Sequence, residues 1–127
     1  RQFPESTWAG DVAAGSPVII GVVSAYAQGR WGREVDDLSG ERLAELLAEL
    51  DGPDDPEHPD VMISHESGWT LSAFTSGLLV WEDPEDADGV SRHMRDVPRS
   101  LVHTLFRAVA AGDLEAVDDQ PWSPGYG

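Results

Sequence analysis

The sequence predicts an α+β fold in which an antiparallel β-meander carries two amphipathic helices. The meander is predicted by Val61–Asp83, where the β-prone runs VMISHE, WTLSAFT and LLVWED are separated by two Ser-Gly pairs. The helices are predicted by two apolar stripes with helical spacing, one on each side of this stretch. The chain contains no internal repeat and no break in composition, so all 127 residues are expected to form one domain.

The two Ser-Gly pairs set the predicted register of the meander. Glycine accepts positive φ, so each pair suits the centre of a two-residue hairpin turn. Phe74 then pairs with Leu79, and Ser72 pairs with both Trp81 and Ile63. Strand side chains alternate, so this register makes both faces apolar, and such a sheet needs a cover on each face or a partner on one. One face would carry Val61, Ile63, Phe74, Leu79 and Trp81, and the other Met62, Trp69, Leu71, Ala73, Leu78 and Val80.

The segments before the first helix predict one long and one short strand. Residues 1–17 are polar and rich in Gly, Ser and Pro, which favours an irregular lead-in. The β-branched run Val18–Tyr26 predicts the first strand. The glycines of residues 28–33 (QGRWGR) predict a turn, and Glu34–Val35 begins a short second strand.

The first helix is predicted over Leu38–Asp51, with Ser39 as its N-cap and Gly52-Pro53 as its end. Its apolar stripe consists of Leu43, Leu46, Leu47 and Leu50. The opposite side carries an uninterrupted acidic row with i, i+4 spacing, formed by Glu41, Glu45 and Glu49. Like charges at this spacing cost roughly 0.2–0.5 kcal/mol per pair. The row is either a negative docking face for a basic partner or an ordinary solvated face.

Two acidic loops suggest metal sites at first sight. Residues 51–60 (DGPDDPEHPD) hold five acids and His58, but no predicted helix or paired strand fixes the ligands and the histidine stands alone. Residues 82–89 resemble a calcium loop, yet Pro84 would occupy the first ligand position and Arg95 the position of the bidentate glutamate. Both segments are therefore predicted to be solvated loops, with no metal.

The last third of the chain predicts a strand, a helix and an extended tail. Val90–Met94 is a candidate fourth strand of the meander. The second helix is predicted over Pro98–Ala111 and ends at Gly112, and one further short turn covers Leu114–Asp118. The prolines of residues 119–127 favour an extended tail. Its anchors are expected to be Trp122 and Tyr126, which would pack onto the domain, over the second sheet face.

A cluster of basic residues precedes the second helix. Arg92, His93, Arg95 and Arg99 lie within eight residues. They either neutralise the acidic loop just upstream or hold an anion at the N-terminus of the helix, where backbone N–H groups favour negative charge.

Charge is the strongest feature of the composition. Twenty-four acidic residues face eight arginines and no lysine, for a net charge of −16 and a pI near 4.2. Such a surface repels nucleic acid and anionic membrane and attracts basic partners; the alternative is that the acidity serves solubility alone. There is no cysteine, which excludes disulfides and thiolate chemistry. No apolar run approaches a membrane span, and no charged-then-apolar leader is visible, so we expect a cytoplasmic protein.

Catalytic motifs are absent from the sequence. Ser64, His65 and Glu66 are neighbours, but adjacent strand residues face opposite ways and cannot form a triad with one another. There is no nucleophile elbow, no glycine-rich phosphate loop and no HExxH. We therefore expect a protein that is not an enzyme and uses no cofactor.

Residues 18–83 resemble the small immunity proteins of bacterial polymorphic-toxin systems. The resemblance is carried by the order of elements: SAYAQGRW, the leucine-rich LSGERLAELLAEL, the proline-rich acidic loop, then GWTLSAF and GLLVWED. It implies an inhibitor that binds and blocks a cognate toxin without catalysis of its own. The docking residues would then be Glu41, Glu45 and Glu49 on the helix, Glu82, Asp83, Glu85, Asp86 and Asp88 on the loop, and Trp31 and Trp69 as aromatic anchors.

Two other classes of function fit the same sequence. An accessory or regulatory domain would bind another protein through an apolar sheet face, and salt would have little effect on that interface. A domain that binds a small anionic ligand, or a small enzyme, would use the arginines between Arg92 and Arg99, with a pocket at the start of the second helix.

Overall fold

The computed structural model describes residues 25–83 and 91–126, and these residues form the predicted α+β fold. A seven-stranded open antiparallel sheet has the order β2-β1-β3-β4-β5-β6-β7. Its strands are β1 (Ala25–Gln28), β2 (Glu34–Val35), β3 (Asp60–His65), β4 (Thr70–Phe74), β5 (Leu79–Glu82), β6 (Arg92–Met94) and β7 (Ser123–Pro124). The helices are α1 (Gly40–Ala48), which continues as a 3-10 turn over Glu49–Asp51, α2 (Arg99–Ala110) and α3 (Leu114–Asp118).

The meander is confirmed, but its predicted register was wrong by one residue at both turns. Leu79 pairs with Ala73, and Leu71 pairs with both Ile63 and Trp81. The hairpin loops contain three residues rather than two: residues 66–68 and 75–77, closed by Gly68 at φ 103° and Gly77 at φ 92°. In such loops a glycine with positive φ follows a tight turn, so the same Ser-Gly pair fits a loop one residue longer.

The corrected register changes both faces of the sheet. Because side chains alternate, a shift of one residue moves a strand's apolar set to the other face. The face toward the helices is apolar and fully buried, and the other face is mixed, so the prediction of two apolar faces was wrong. The buried face carries Val61, Ile63, Leu71, Ala73, Leu79 and Trp81, and the other carries Met62, Ser64, Thr70, Ser72, Phe74 and Val80.

Both amphipathic helices pack on the apolar face. In α1, the Ser39 hydroxyl accepts a hydrogen bond from the backbone N–H of Arg42, as its predicted N-cap role requires. Helix α2 begins directly after Pro98. His103 Nε2 lies 2.7 Å from the carbonyl oxygen of Gly40, which ties the middle of α2 to the start of α1. The core between helices and sheet includes the three α1 leucines Leu43, Leu46 and Leu47, together with Leu105, Phe106 and Val109 of α2.

The two ends of the described chain extend the sheet beyond the meander. β1 continues two residues past the predicted end at Tyr26, and β2 is confirmed. The lead-in 1–17 and the first residues of the predicted strand, 18–24, lie outside the described residues. So does the segment 84–90, which includes most of the calcium-like loop.

The C-terminal tail is extended, and it adds an edge strand where we expected a cover for a sheet face. β7 pairs with β6. The Trp122 indole N–H donates to Val117 O at 2.7 Å, and the Tyr126 hydroxyl donates to Glu82 Oε1 at 2.6 Å. Among residues 25–83 and 91–126, no helix has the length and apolarity that crossing a bilayer requires.

Candidate functional site

A buried arginine joins the turn after β1 to the proline-rich loop. Arg30 is only 4% exposed. Its Nε donates to His58 O at 2.7 Å, Nη1 to Glu49 O at 3.0 Å and Nη2 to Pro53 O at 2.7 Å. A planar guanidinium with donors on three nitrogens satisfies three carbonyls at once, and its charge suits the carboxyl end of a helix. The loop from 51 to 59 is thereby fixed to the turn.

The Glu49 carboxylate completes this brace and does not extend the solvated row of α1. Glu49 Oε1 accepts from the backbone N–H of Arg30 at 2.8 Å, and Oε2 accepts from Arg33 Nη2 at 3.2 Å. The approach requires glycine at position 29, because a Cβ there would lie 2.6 Å from Glu49 Oε1. Glu49 is therefore a structural acid, whereas Glu41 is exposed and Glu45 pairs with Arg42 at 2.9 Å on the surface.

Trp31 projects from this braced turn and is 49% exposed. The Arg30 guanidinium lies 4.8 Å from the centroid of its ring, and the His58 ring lies 6.4 Å away. The side chains of Asp54 and Glu57 are exposed in the adjoining loop. We call this group the Trp31 corner: Trp31, Asp54, Asp55, Glu57 and His58.

The loop part of the corner is ordered by its own hydrogen bonds. Asp55 Oδ2 lies 2.9 Å from His58 Nδ1, and Oδ1 accepts from the backbone N–H of Glu57 at 3.1 Å. These bonds, first the one with His58 and then the one with Glu57, lower the pKa of the Asp55 carboxyl from its ordinary value. The corner is therefore an anionic surface with an aromatic ring held at its edge.

The loop is fixed in a way that the sequence did not indicate, because Arg30 holds it at two carbonyls, Pro53 O and His58 O. In the parts of the chain that the structure describes, no group of three or more His, Asp or Glu side chains is arranged to hold a metal ion. Both oxygens of the Asp55 carboxylate are already hydrogen bonded.

Comparison of the chain with protein-family models, with curated proteins and with solved structures finds no match. Its function is therefore argued from the geometry of its own residues.

The second predicted anchor, Trp69, is part of the core rather than of an exposed patch. Its ring stacks on the fully buried Trp81 with centroids 4.9 Å apart, and the Arg92 guanidinium lies 5.4 Å above it. Arg92 also donates to Asp118 at 3.0 Å, and that same carboxylate accepts from the Trp81 indole at 2.7 Å. We call this group the Trp69 corner: Trp69, Trp81, Arg92 and Asp118.

The acids at the end of β5 differ from the simple solvated group we predicted. Glu82 is half-buried and accepts from Ser91 as well as from Tyr126. Asp83 lies against the Gly68 turn, where a Cβ on the glycine would be 2.7 Å from Asp83 Oδ1. The other predicted docking acids of this loop, Glu85, Asp86 and Asp88, lie outside the described residues.

The basic cluster around β6 is spread over several partners. Arg92 belongs to the Trp69 corner, and His93 Nδ1 lies 3.1 Å from Gly125 O. Arg99 binds both carboxylate oxygens of Asp51, at 2.9 and 3.2 Å, and Leu47 O at 3.0 Å. Arg95 is exposed and forms an interaction of its own. Arg92 and Arg99 thus neutralise acids distant in sequence, and the structure does not bring all four residues to one anion site.

A small cavity does lie at the start of α2, where the ligand-binding hypothesis expects a pocket. Its volume is about 140 Å³, and Arg99, Val97 and Phe74 are among its lining residues. Ligand pockets usually enclose roughly 300–1,000 Å³, so this cavity is small for a substrate. Its one arginine is already held by Asp51.

Arg30 is the residue of this candidate site that the sequence did not reveal. Its partners lie 19, 23 and 28 positions away, so no local pattern indicates them. The one local sign of this site in the sequence is the pair Arg30-Trp31, which stands between two glycines in a predicted turn.

Proposed function

We propose that the protein is a non-catalytic acidic binding protein that recognises a basic protein, and that it acts in the cytoplasm as an immunity-type inhibitor of a basic toxin domain. The observation that supports this is how the charges are used. The chain has 24 acids and eight arginines. Arginines 30, 33, 42, 92 and 99 each bind a carbonyl or a carboxylate of the same chain. These five arginines are paired within the molecule, and many acids of the described residues are exposed to solvent.

This charge distribution favours fast association with a basic partner. A negative potential over the surface raises encounter rates with a positive protein and repels nucleic acid. An inhibitor that occupies the basic substrate site of a nucleic-acid-cleaving toxin would have this character. The exposed Trp31 adds the kind of aromatic anchor that carries binding energy in interfaces.

The test is affinity capture with the tagged chain from an extract of its own source cells, washed at about 50 mM and then about 500 mM salt. We expect a basic protein that is retained in the first wash and released in the second. Expression of that protein alone should then arrest growth of a host, and co-expression of the acidic chain should restore growth. A partner retained at high salt would support the apolar-interface alternative and contradict an acid-steered inhibitor.

The α1 row gives a second, finer test of the acid-steered encounter. Glu41→Lys and Glu45→Lys are expected to lower the association rate with the captured partner severalfold at low salt, with little change in the dissociation rate. Glu49→Lys is unsuitable because it would also break the brace at Arg30. Glu115→Lys on α3 is the matched control for the same change in net charge. Equal association rates for all three variants and the native chain would remove the α1 row from the interface.

A further inference from the structure

We infer that the Trp31 corner is the docking surface for the basic partner, and that it receives an arginine side chain of that partner against the exposed part of the Trp31 ring. This inference rests on the proposed function and adds to it the surface and the chemistry of recognition.

Trp31 is an exposed aromatic ring on a turn that is held rigidly. A tryptophan that is 49% exposed leaves a large apolar surface in water, which the chain tolerates here although its other described tryptophans are at least partly buried. The turn that carries Trp31 is held by the four hydrogen bonds of Arg30. A preorganised ring loses little conformational freedom on binding, so more of the contact energy appears as affinity.

The acids of the Trp31 corner complement the charge of a basic partner. Glu57 and Asp54 are exposed, and neither carboxylate forms a hydrogen bond or ion pair within the described part of the chain. Asp55 is held anionic by His58 and by the backbone of the loop. A cation that approaches the ring therefore meets carboxylates beside it. The three carboxylates of the corner, on Asp54, Asp55 and Glu57, outnumber the one guanidinium of Arg30, which is buried among three carbonyls.

The aromatic ring and the carboxylates of the Trp31 corner suit an arginine better than a lysine. A guanidinium is planar, stacks on an aromatic face and offers paired donors to a carboxylate, whereas an ammonium is a strongly hydrated point charge. The molecule already contains two such stacks, Arg30 over Trp31 and Arg92 over Trp69. The Trp31 corner can form one more, with the partner supplying the arginine.

Trp31 is the most exposed of the four described tryptophans, and the exposed Tyr126 already donates its hydroxyl to Glu82. Glu41 and Glu45 on α1 are exposed, but no aromatic side chain on that helix accompanies them. Trp69 has a cation above it and a core ring beneath it, so both of its faces are used.

The experiment uses the full chain and two synthetic nonapeptides of equal charge, nona-arginine and nona-lysine, at about 50 mM salt. Dissociation constants are measured by calorimetry, and the indole N–H signal of Trp31 is followed by NMR. We expect nona-arginine to bind more tightly than nona-lysine and to shift the Trp31 signal. Trp31→Ala, which keeps the net charge, should weaken nona-arginine binding about fivefold. Trp31→Phe should retain part of the affinity.

A charge-matched pair of variants separates the corner from the overall field. Asp54→Asn/Glu57→Gln and Glu115→Gln/Asp119→Asn each remove two negative charges, the second pair from exposed positions on and just after α3. The first pair should weaken nona-arginine binding severalfold more than the second. If Trp31→Ala binds like the native chain and the two double variants are equal, the docking surface lies elsewhere, and acid-steered binding itself still stands. If neither peptide binds even at 50 mM salt, the proposed function fails with it.

Discussion

The Trp31 corner and the Trp69 corner contain the same pair of residue types in opposite arrangements. In both, an arginine guanidinium lies over a tryptophan ring, at 4.8 Å and 5.4 Å. At the Trp31 corner the arginine is buried and the tryptophan is exposed. At the Trp69 corner the tryptophan is packed on the core, and the arginine lies outside with its side chain 37% exposed.

The same arginine–tryptophan contact therefore has two different structural roles: it holds an exposed ring at the surface in one corner, and it covers the edge of the core in the other. Arg30 is buried among three carbonyls, and its ring partner Trp31 lies at the surface. Arg92 instead closes the end of the core over the Trp69–Trp81 stack, and Asp118 joins Arg92 to the buried indole. Substituting one member of each arginine–tryptophan pair at a time breaks the Trp31 corner and the Trp69 corner separately.

The largest expected effect comes from Arg30. Arg30→Met leaves three carbonyls without their donor, one at the end of α1 and two in the proline-rich loop, and the free energy of unfolding should fall by about 3 kcal/mol. Arg92→Met removes a surface ion pair and a ring contact, and should cost about 0.5–1 kcal/mol. Urea unfolding followed by far-ultraviolet circular dichroism measures both. Arg30→Lys should be intermediate because an ammonium cannot span the three acceptors. Equal costs for Arg30→Met and Arg92→Met would show that burial does not distinguish the corners.

The two tryptophans should give the reverse order of structural importance. Trp69→Ala removes a ring stacked on Trp81 and should destabilise the fold by about 2 kcal/mol. Trp31→Ala removes a half-exposed ring and should change stability by no more than about 0.5 kcal/mol. Thermal unfolding of the two variants beside the native chain measures the difference. A large loss for Trp31→Ala would mean that its ring supports the loop, and that its exposure is incidental to binding.

Local signals in the sequence predicted the elements well, because each element depends on a few neighbouring residues. Ser39 caps α1, Pro98 precedes α2, and the leucine stripe of α1 faces the core. The register failed where local chemistry was ambiguous, because a Ser-Gly pair suits both a two-residue and a three-residue loop. One residue of loop length was enough to reverse the faces occupied by Leu71 and Ala73.

The candidate site was less predictable than the fold for a different physical reason. Trp31 and Trp69 each stand beside a glycine and look alike in the sequence. What separates them is tertiary packing: distant carbonyls hold Arg30, the sequence neighbour of Trp31, whereas Trp69 stacks on the core ring of Trp81. Glu49 fits the helical row equally well on paper, but the turn that approaches it takes its carboxylate out of that row.

The smallest expected effect is a pH dependence of opposite sign at two acids of residues 51–60, Asp55 and Asp60. The pKa of Asp55 is lowered by its bond with His58, so its contribution to stability is present above the ordinary value of 3.8 and is lost as the pH falls through the lowered value. Burial raises the pKa of Asp60, so its ionised form costs stability above that raised value, and acid relieves the cost.

Asp55→Asn should therefore lower the Tm at pH 7, and Asp60→Asn should raise it by up to about 2 °C. Both differences should shrink on acidification, the Asp60→Asn gain first and the Asp55→Asn loss at lower pH. Thermal unfolding at pH 7, 5, 4 and 3 measures this order. A Tm for Asp55→Asn that equals the native value at pH 7 would show that the His58 bond does not hold the Trp31 corner together, and the corner's rigidity would then depend on Arg30 alone.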